Sequence, residues 1–138
     1  MKHEISAQWK DPMAFEVSQD GHKFTIDAAT EAGGENSGPR PKALMLSALA
    51  GCTGMDVISI LKKMRIIPEY FNVRVEGSVT EEHPKEYEKM HIVYEFKGDN
   101  LDKSKIEKAV NLSQEKYCGV SDFYRKVVDV TYEIKILD

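Results

Sequence analysis

Two cysteines are the residues of this 138-residue chain best suited to chemistry. Cys52 lies in a long apolar run that follows Pro41, and Cys118 lies far down the chain between Tyr117 and Gly119. They do not form a C-x-x-C pair, the spacing typical of zinc sites and thioredoxin-type motifs. If the two thiols meet in the folded protein, they can perform thiol redox chemistry.

A reactive thiol needs neighbours that favour its thiolate, because an unperturbed cysteine with a pKa of about 8.5 is only ~3% ionised at pH 7. Asp56 lies one helical turn after Cys52, and a nearby carboxylate disfavours the thiolate. A cation is therefore expected close to the sulfur. The nearest cationic residues in the sequence are Arg40 and Lys42, at the start of the segment that carries Cys52.

The segment that carries Cys52 predicts a helix over 42–63 with apolar residues on every face, which must be buried centrally. Cys52, Asp56, Ser59 and Lys63 share one face of it, and this polar stripe predicts a pocket or a subunit seam. Glycines on both sides of the cysteine permit a kink or a restart of the helix. A restart would give the thiol the favourable dipole of a helix N-terminus.

Each of these features also has a purely structural interpretation. A single cysteine in an Ala/Leu/Met-rich helix is most often a small buried apolar residue. Cys118, followed by Gly119, fits a helix-end cysteine that only packs. The polar stripe is equally consistent with internal hydrogen bonds or a solvated interface edge. The histidines have no metal-ligand spacing, so no metal site is expected.

Periodicity and turn residues predict the order βββ, helix, ββ, helix, β. The strands alternate apolar and polar residues or are bounded by turn residues, and they are expected at 3–9, 14–18, 22–27, 71–79, 90–96 and 128–136. Residues 19–21 predict a hairpin turn. The second helix is predicted over 102–116, with Asp99-Asn100 as its cap. The chain length predicts a single domain over 1–138.

Composition excludes several partners. The net charge is −4, from 19 basic and 23 acidic residues, which leaves no basic surface for nucleic acid or an anionic membrane. The amino terminus lacks the apolar core of a signal peptide, and the weakly charged stretch 43–61 carries Asp56. A cytoplasmic protein with no membrane partner is expected, and a structural disulfide is not.

The two cysteine segments resemble the family of OsmC, the osmotically inducible protein, and of the organic hydroperoxide resistance proteins. The resemblance covers nearly the whole chain, and the combination of its motifs is specific. The motifs are GPRP at 38–41, ALAGC at 48–52, DVISIL at 56–61 and KYCGVS at 116–121. The resemblance implies an α+β fold in which antiparallel sheets wrap buried central helices of an intertwined homodimer, with its sites at the subunit interface.

The resemblance also implies a reaction, reduction of hydroperoxides by a cysteine-based peroxidase. Cys52 is the implied peroxidatic nucleophile and Cys118 the residue that resolves its sulfenic acid as a disulfide. A dithiol reductant, lipoyl-like or another, regenerates the pair, and no metal or organic cofactor takes part. Organic hydroperoxides are the expected substrates because Leu, Met, Ile and Phe side chains would line the site.

The chain departs from the peroxidase members at two positions. They carry a glutamate ten residues before the first cysteine, where this chain has Lys42, and an arginine in the N-terminal strands, where Lys10 stands. An ammonium lacks the planar fork of a guanidinium. The sequence is therefore more similar to a less characterised OsmC-like subgroup, in which we hypothesise that Asp56 replaces the missing carboxylate.

Two further functions stay open. The alternative to a peroxidase is a non-enzymatic protein that binds a small ligand or senses redox state on the same scaffold. Another thiol reaction, such as capture of an electrophile or sulfur transfer, has no positive support in the sequence.

Overall fold

Two three-stranded sheets organise the chain, one in each of two units. The computed structural model describes residues 1–138. The first unit is Met1–Met45 and the second is Leu46–Asp138. The expectation of a single domain over the whole chain stays a prediction.

The first unit is an antiparallel meander of β1 (Ser6–Lys10), β2 (Ala14–Gln19) and β3 (His22–Ile26). The predicted hairpin turn is confirmed, because Asp20 and Gly21 join β2 to β3 with φ angles of 51° and 79°. Two consecutive left-handed residues are what a type I′ turn requires, and its twist matches that of the paired strands.

A loop follows β3 and is organised around the buried side chain of Asp27. Its carboxylate accepts hydrogen bonds from the backbone N–H groups of Ala28, Glu35 and Ser37 and from the Ser37 hydroxyl. The Ser37 backbone hydrogen bond contributes most to a pKa of Asp27 lowered to about 2. A single turn of 3₁₀ helix, Thr30–Ala32, lies within this loop.

The long helix α1 (Leu44–Lys63) begins two residues later than predicted and runs without a break past both glycines. Cys52 therefore lies in the middle of a helix, and the possible helix start there is not realised. Four residues at four-residue spacing are buried: Leu49, Thr53, Val57 and Leu61. One face of α1 is thus buried within a single chain, and burial of its remaining apolar surface, which the expected central position requires, stays a prediction.

The second sheet contains β4 (Tyr70–Val79), β5 (Tyr87–Lys97) and β6 (Asp129–Ile136), in that order. β4 and β5 form the predicted antiparallel hairpin. β6 pairs with β5 in parallel, which differs from the antiparallel expectation. The reason is the connection: the chain crosses over through helices between β5 and β6 and so returns in the same direction.

The crossover contains α2 (Lys103–Leu112), a π-helical turn at Ser113–Tyr117 and α3 (Gly119–Arg125). The predicted cap of α2 is wrong by a few residues: Asp102 caps the helix and accepts from the N–H groups of residues 104 and 105. Asn100 instead takes a left-handed φ of 57° in the preceding turn. α3 is not predicted by the sequence pattern.

The core of the second unit lies between α1, α2 and one face of the sheet. Its largest fully buried side chains include Tyr94 and Phe96 of β5, Leu49 and Leu61 of α1, and Ile106 of α2. The Phe96 ring stacks on Phe71 with 4.6 Å between centroids. α1 is also long and apolar enough to cross a membrane by length and composition, and its buried face packs in this core.

Candidate active site

Cys52, Asp56 and Cys118 meet in the second unit. The two sulfurs and a carboxylate oxygen of Asp56 all lie within 4.8 Å of one another. Both cysteines are free thiols. The structure therefore places the two reduced thiols next to each other, whereas the sequence left open whether they meet.

α1 supplies two of the three groups. Cys52 and Asp56 are one helical turn apart, so their side chains project from the same face. Cys52 is half-buried, and it packs against the core cluster. Because the helix is unbroken, the two side chains have a fixed position relative to each other. A kink at the neighbouring glycines would not fix them in this way.

The π-helical turn positions Cys118. Its N–H donates to the carbonyl of Ser113, 2.8 Å away, and its Sγ accepts the Ser121 N–H at 3.3 Å as the cap of α3. The side chain is 2% exposed. Burial, with further contributions from Cys52 and Asp56, raises the pKa of Cys118 to about 11. Cys118 is therefore a neutral thiol at physiological pH.

A chain of buried hydrogen bonds runs from Asp56 into the core. The Ser113 hydroxyl donates to Asp56 Oδ2 at 3.0 Å and is 2.7 Å from the Thr53 hydroxyl. The Thr53 hydroxyl is in turn 2.6 Å from the Tyr94 hydroxyl, to which the Gln114 amide donates at 2.7 Å. Burial raises the pKa of Tyr94 to about 12, so its hydroxyl stays protonated. The network holds the Asp56 carboxylate in a fixed orientation.

Arg125 donates hydrogen bonds at the end of this network that is farthest from Asp56. Its guanidinium donates to the Gln114 side-chain oxygen at 3.0 Å, to the Ser121 hydroxyl at 2.9 Å and to the Gln114 carbonyl at 2.6 Å. These bonds tie α3 to the π-helical turn on either side of Cys118. The position of the Cys118 thiol is thus fixed by its own backbone and by these hydrogen bonds of Arg125.

Three residues of the polar stripe of α1, all except Cys52, line a cavity of about 320 Å³. Its walls are Asp56, Ser59, Ile60, Lys63, Leu112 and Tyr117. The stripe was expected to mark a pocket or a subunit seam, and within one chain it marks a pocket. Asp56 is the residue that the cavity and the cysteine pair share, so the carboxylate connects the thiols with this opening.

Comparison with known proteins assigns the chain to a family. Residues 34–133 match the sequence profile described as OsmC-like protein. The chain belongs to the OsmC-like family. Protein YhfA of Escherichia coli strain K12 is 30% identical over 134 residues, which are 94% of this chain and 95% of that protein.

Solved structures agree with the OsmC-like fold. A hypothetical protein from Aquifex aeolicus VF5 superposes with a TM-score of 0.83 at 28% identity, covering 100% of this chain and 99% of that one. The organic hydroperoxide resistance protein OhrB of Bacillus subtilis superposes with a TM-score of 0.65 at 24% identity, covering 98% of each chain. The α+β fold class and the family resemblance are confirmed.

The two cationic residues that the sequence predicts near the Cys52 thiol, Arg40 and Lys42, both belong to the first unit. Arg40 donates to the carbonyl of Gly38 at 2.9 Å and lines an apolar cavity with Phe15 and Ile26. Lys42 is exposed in the turn before α1. Their proposed effect on the Cys52 thiolate stays a prediction.

Sequence reasoning missed Ser113, Gln114 and Arg125. A signal for the first two exists, because they continue the four-residue spacing of the apolar positions Ala109 and Val110 in α2. A polar residue at a position that the helix pattern buries predicts an internal hydrogen bond. Arg125 carries no such signal, since it lies on the helix that the sequence analysis missed.

Proposed function

We propose that this OsmC-like protein reduces hydroperoxides with Cys52 as the attacking residue and Cys118 as the resolving residue. The observation that carries the proposal is the pair of reduced thiols within 4.8 Å of each other and of Asp56. Membership of the OsmC-like family and the likeness to an organic hydroperoxide resistance protein support a redox role.

The reaction has two steps in the protein. The Cys52 thiolate attacks the distal peroxide oxygen, the O–O bond breaks, and the products are Cys52 sulfenic acid and an alkoxide that takes up a proton as an alcohol. Cys118 then attacks the sulfenic sulfur. The S–S bond forms, the S–O bond breaks and water leaves, so the peroxide has received two electrons. A dithiol reductant, lipoyl-like or another, returns the disulfide to thiols.

Burial supports this division of roles. Cys118 is 2% exposed, whereas Cys52 is only half-buried and is the sulfur more open to a substrate. The raised pKa of Cys118 keeps it as an unreactive thiol until a sulfenic acid forms beside it. The attacking residue must be accessible to the peroxide, whereas the resolving residue has only to lie near the sulfur of the attacking residue.

Asp56 is proposed to act as the carboxylate of the site. It lies within 4.8 Å of both sulfurs, and Ser113 fixes its orientation. A carboxylate there can accept the proton that Cys118 loses as it attacks. This assigns to Asp56 a catalytic role that the family resemblance placed on a glutamate at the position of Lys42.

The surroundings favour organic hydroperoxides. Ile60 and Leu112 lie in the wall of the cavity that Asp56 opens onto, and Leu46 and Ile60 pack with Cys52 around the core. Apolar side chains stabilise an alkyl substituent more than they stabilise hydrogen peroxide.

We also propose that the protein is a cytoplasmic homodimer. Within one chain α1 leaves apolar surface exposed, including Met55 at 74% exposure. An open apolar groove runs along Ala50, Gly51 and Gly54 of α1 beside Phe71 and Val73 of β4. A second copy of the chain would cover it, as the family resemblance implies. Exposed apolar surface of this extent on a soluble protein indicates an interface.

Single-turnover oxidation tests the reaction. Reduced protein is mixed with cumene hydroperoxide, t-butyl hydroperoxide or H₂O₂ in the presence of a chelator, and free thiols are counted over time. We expect rapid loss of both thiols, no reaction in Cys52→Ser, and arrest at a dimedone-reactive sulfenic acid in Cys118→Ser. Persistence of both thiols under excess peroxide would contradict the proposal.

One observation favours a sensor or a ligand-binding protein instead. Lys42 and Lys10 stand where the resemblance leads one to expect the Glu and Arg of a fast peroxidase. A sensor would form the same disulfide slowly and stoichiometrically. The two functions differ in turnover: with excess dithiol reductant, a peroxidase consumes many equivalents of peroxide per chain, and a sensor consumes about one.

A further inference from the structure

The three groups at the thiol pair also form a set of metal ligands. No metal was expected from the spacing of the cysteines and histidines in the sequence, but the fold brings two sulfurs and a carboxylate oxygen together. Two thiolates and one carboxylate are the donors that Zn²⁺ accepts, and three protein ligands with an open fourth position are typical of non-structural zinc sites.

The distances fit a tetrahedral cation. Bonds of about 2.3 Å to sulfur and about 2.1 Å to oxygen at tetrahedral angles separate the donor atoms by roughly 3.6–3.8 Å. The three atoms of Cys52, Cys118 and Asp56 already lie within 4.8 Å of one another. The required closure from 4.8 Å is therefore at most about 1.2 Å, a change that side-chain rotation alone can supply.

A second observation supports the carboxylate as a ligand. Asp56 Oδ2 accepts the Ser113 hydroxyl, which is itself bonded to the buried Thr53 hydroxyl. Hydrogen bonds of this kind orient carboxylate ligands in metal sites. Asp56 also lines the cavity with Ser59 and Lys63, so its carboxylate is accessible from that side.

We propose that the reduced protein binds one thiophilic divalent cation of the Zn²⁺ class per chain through Cys52, Cys118 and Asp56. Binding releases the two thiol protons to solvent and leaves both sulfurs in their reduced state. Because the cation occupies both thiols, the metal-bound protein is shielded from peroxide. The same site would then alternate between a redox-active form and a metal-masked form.

Cadmium is the probe that reports on the thiolates directly. Reduced, metal-free protein is titrated anaerobically with Cd²⁺, and the ultraviolet thiolate-to-cadmium charge-transfer band is recorded. We expect the band to saturate at one Cd²⁺ per chain and to vanish in Cys52→Ser and Cys118→Ser. Asp56→Asn should keep the band but bind at least roughly tenfold more weakly, as should Ser113→Ala.

Controls separate ligand loss from unfolding. Asp129→Asn, which removes an exposed carboxylate of β6, should bind like wild type, and wild-type protein alkylated at Cys52 should not bind. Zn²⁺ itself is measured by competition with a chromophoric chelator. Absence of the band in wild type, or Asp56→Asn binding as tightly as wild type, would overturn the proposal. No step needs peroxide, so failure of the peroxidase would leave this result intact.

Discussion

The two cysteines are the same residue type in different physical environments. Cys52 projects from the middle of α1 and is half-buried, whereas Cys118 caps α3 and is 2% exposed. Burial is the main cause of the raised pKa of Cys118. Asp56 faces both sulfurs and is held by Ser113. The roles proposed for the two cysteines rest on this difference in burial and access, because the residue type is the same.

Asp56→Ala tests the proposed catalytic carboxylate. We expect the single-turnover rate of disulfide formation with t-butyl hydroperoxide to fall by roughly 100-fold, the low end of what a positioned general base contributes. The measurement is stopped-flow thiol oxidation with a chelator present. Ser59→Ala, from the same cavity, is the matched control and should react at the wild-type rate. An unchanged rate in Asp56→Ala would show that the carboxylate has no catalytic role.

Tyr94→Phe tests the buried network below the site. The variant removes the hydroxyl that contacts Thr53 and Gln114, and it leaves buried polar groups with fewer partners. We expect the free energy of unfolding to fall by about 1–3 kcal/mol, measured by urea denaturation. Tyr132→Phe removes a hydroxyl bonded to Asn111 at the surface and should cost less than about 0.5 kcal/mol. Equal losses in the two variants would contradict the importance of the buried network.

At the scale of elements, the chain has two irregular features, and one of them positions the site. The π-helical turn Ser113–Tyr117 places consecutive residues, Ser113 and Gln114, in the interior, and it ends where Cys118 starts α3. π-Helical turns are rare and are frequently found at functional sites. The other feature is the loop after β3, which Asp27 organises through four hydrogen bonds.

Asp27→Asn tests how that loop is held. The folded-state pKa is lowered to about 2 from 3.8, so the carboxylate stabilises the loop above the unfolded-state value and loses this contribution as pH falls toward 2. We expect wild type to have the higher Tm at pH 7 and the difference from Asp27→Asn to shrink between pH 4 and about pH 2. Differential scanning calorimetry across this range measures it. A pH-independent difference would mean that the charge of Asp27 is not what holds the loop.

At the scale of the whole molecule, the apolar surface of α1 is the main feature that a single chain leaves unexplained. Four of its residues are buried, while Met45 and Met55 are exposed at 42% and 74%. A helix apolar on all faces is stable in water when other surfaces cover it. The proposed homodimer supplies that cover.

Met55→Glu tests the dimer. Placing a carboxylate in an apolar interface without a partner costs several kcal/mol, so the dimer dissociation constant should rise by at least roughly tenfold. Light scattering after size-exclusion chromatography, over a range of concentrations, measures the mass. Lys62→Glu, an exposed change of charge on the same helix, is the control and should remain dimeric. A wild-type chain that runs as a monomer would contradict the proposal.

The sequence by itself determined the features that depend on near neighbours in the chain. Asp20-Gly21 specified a hairpin turn through its left-handed backbone, the apolar run after Pro41 specified a long helix, and alternation specified the β4–β5 hairpin. Motifs around the cysteines were sufficient to indicate the OsmC-like family. Helix periodicity also placed Cys52 and Asp56 on one face.

Only the tertiary structure decided what joins distant parts of the chain. It brought Cys118 to Cys52 and Asp56, made β6 parallel to β5, and buried Ser113 in contact with the carboxylate. These contacts depend on how the crossover helices pack against α1, and no local pattern encodes that packing. Local backbone preferences act over a few residues, whereas the proposed chemistry requires atoms from Cys52 and Asp56 and from Cys118, which is distant from them in the sequence.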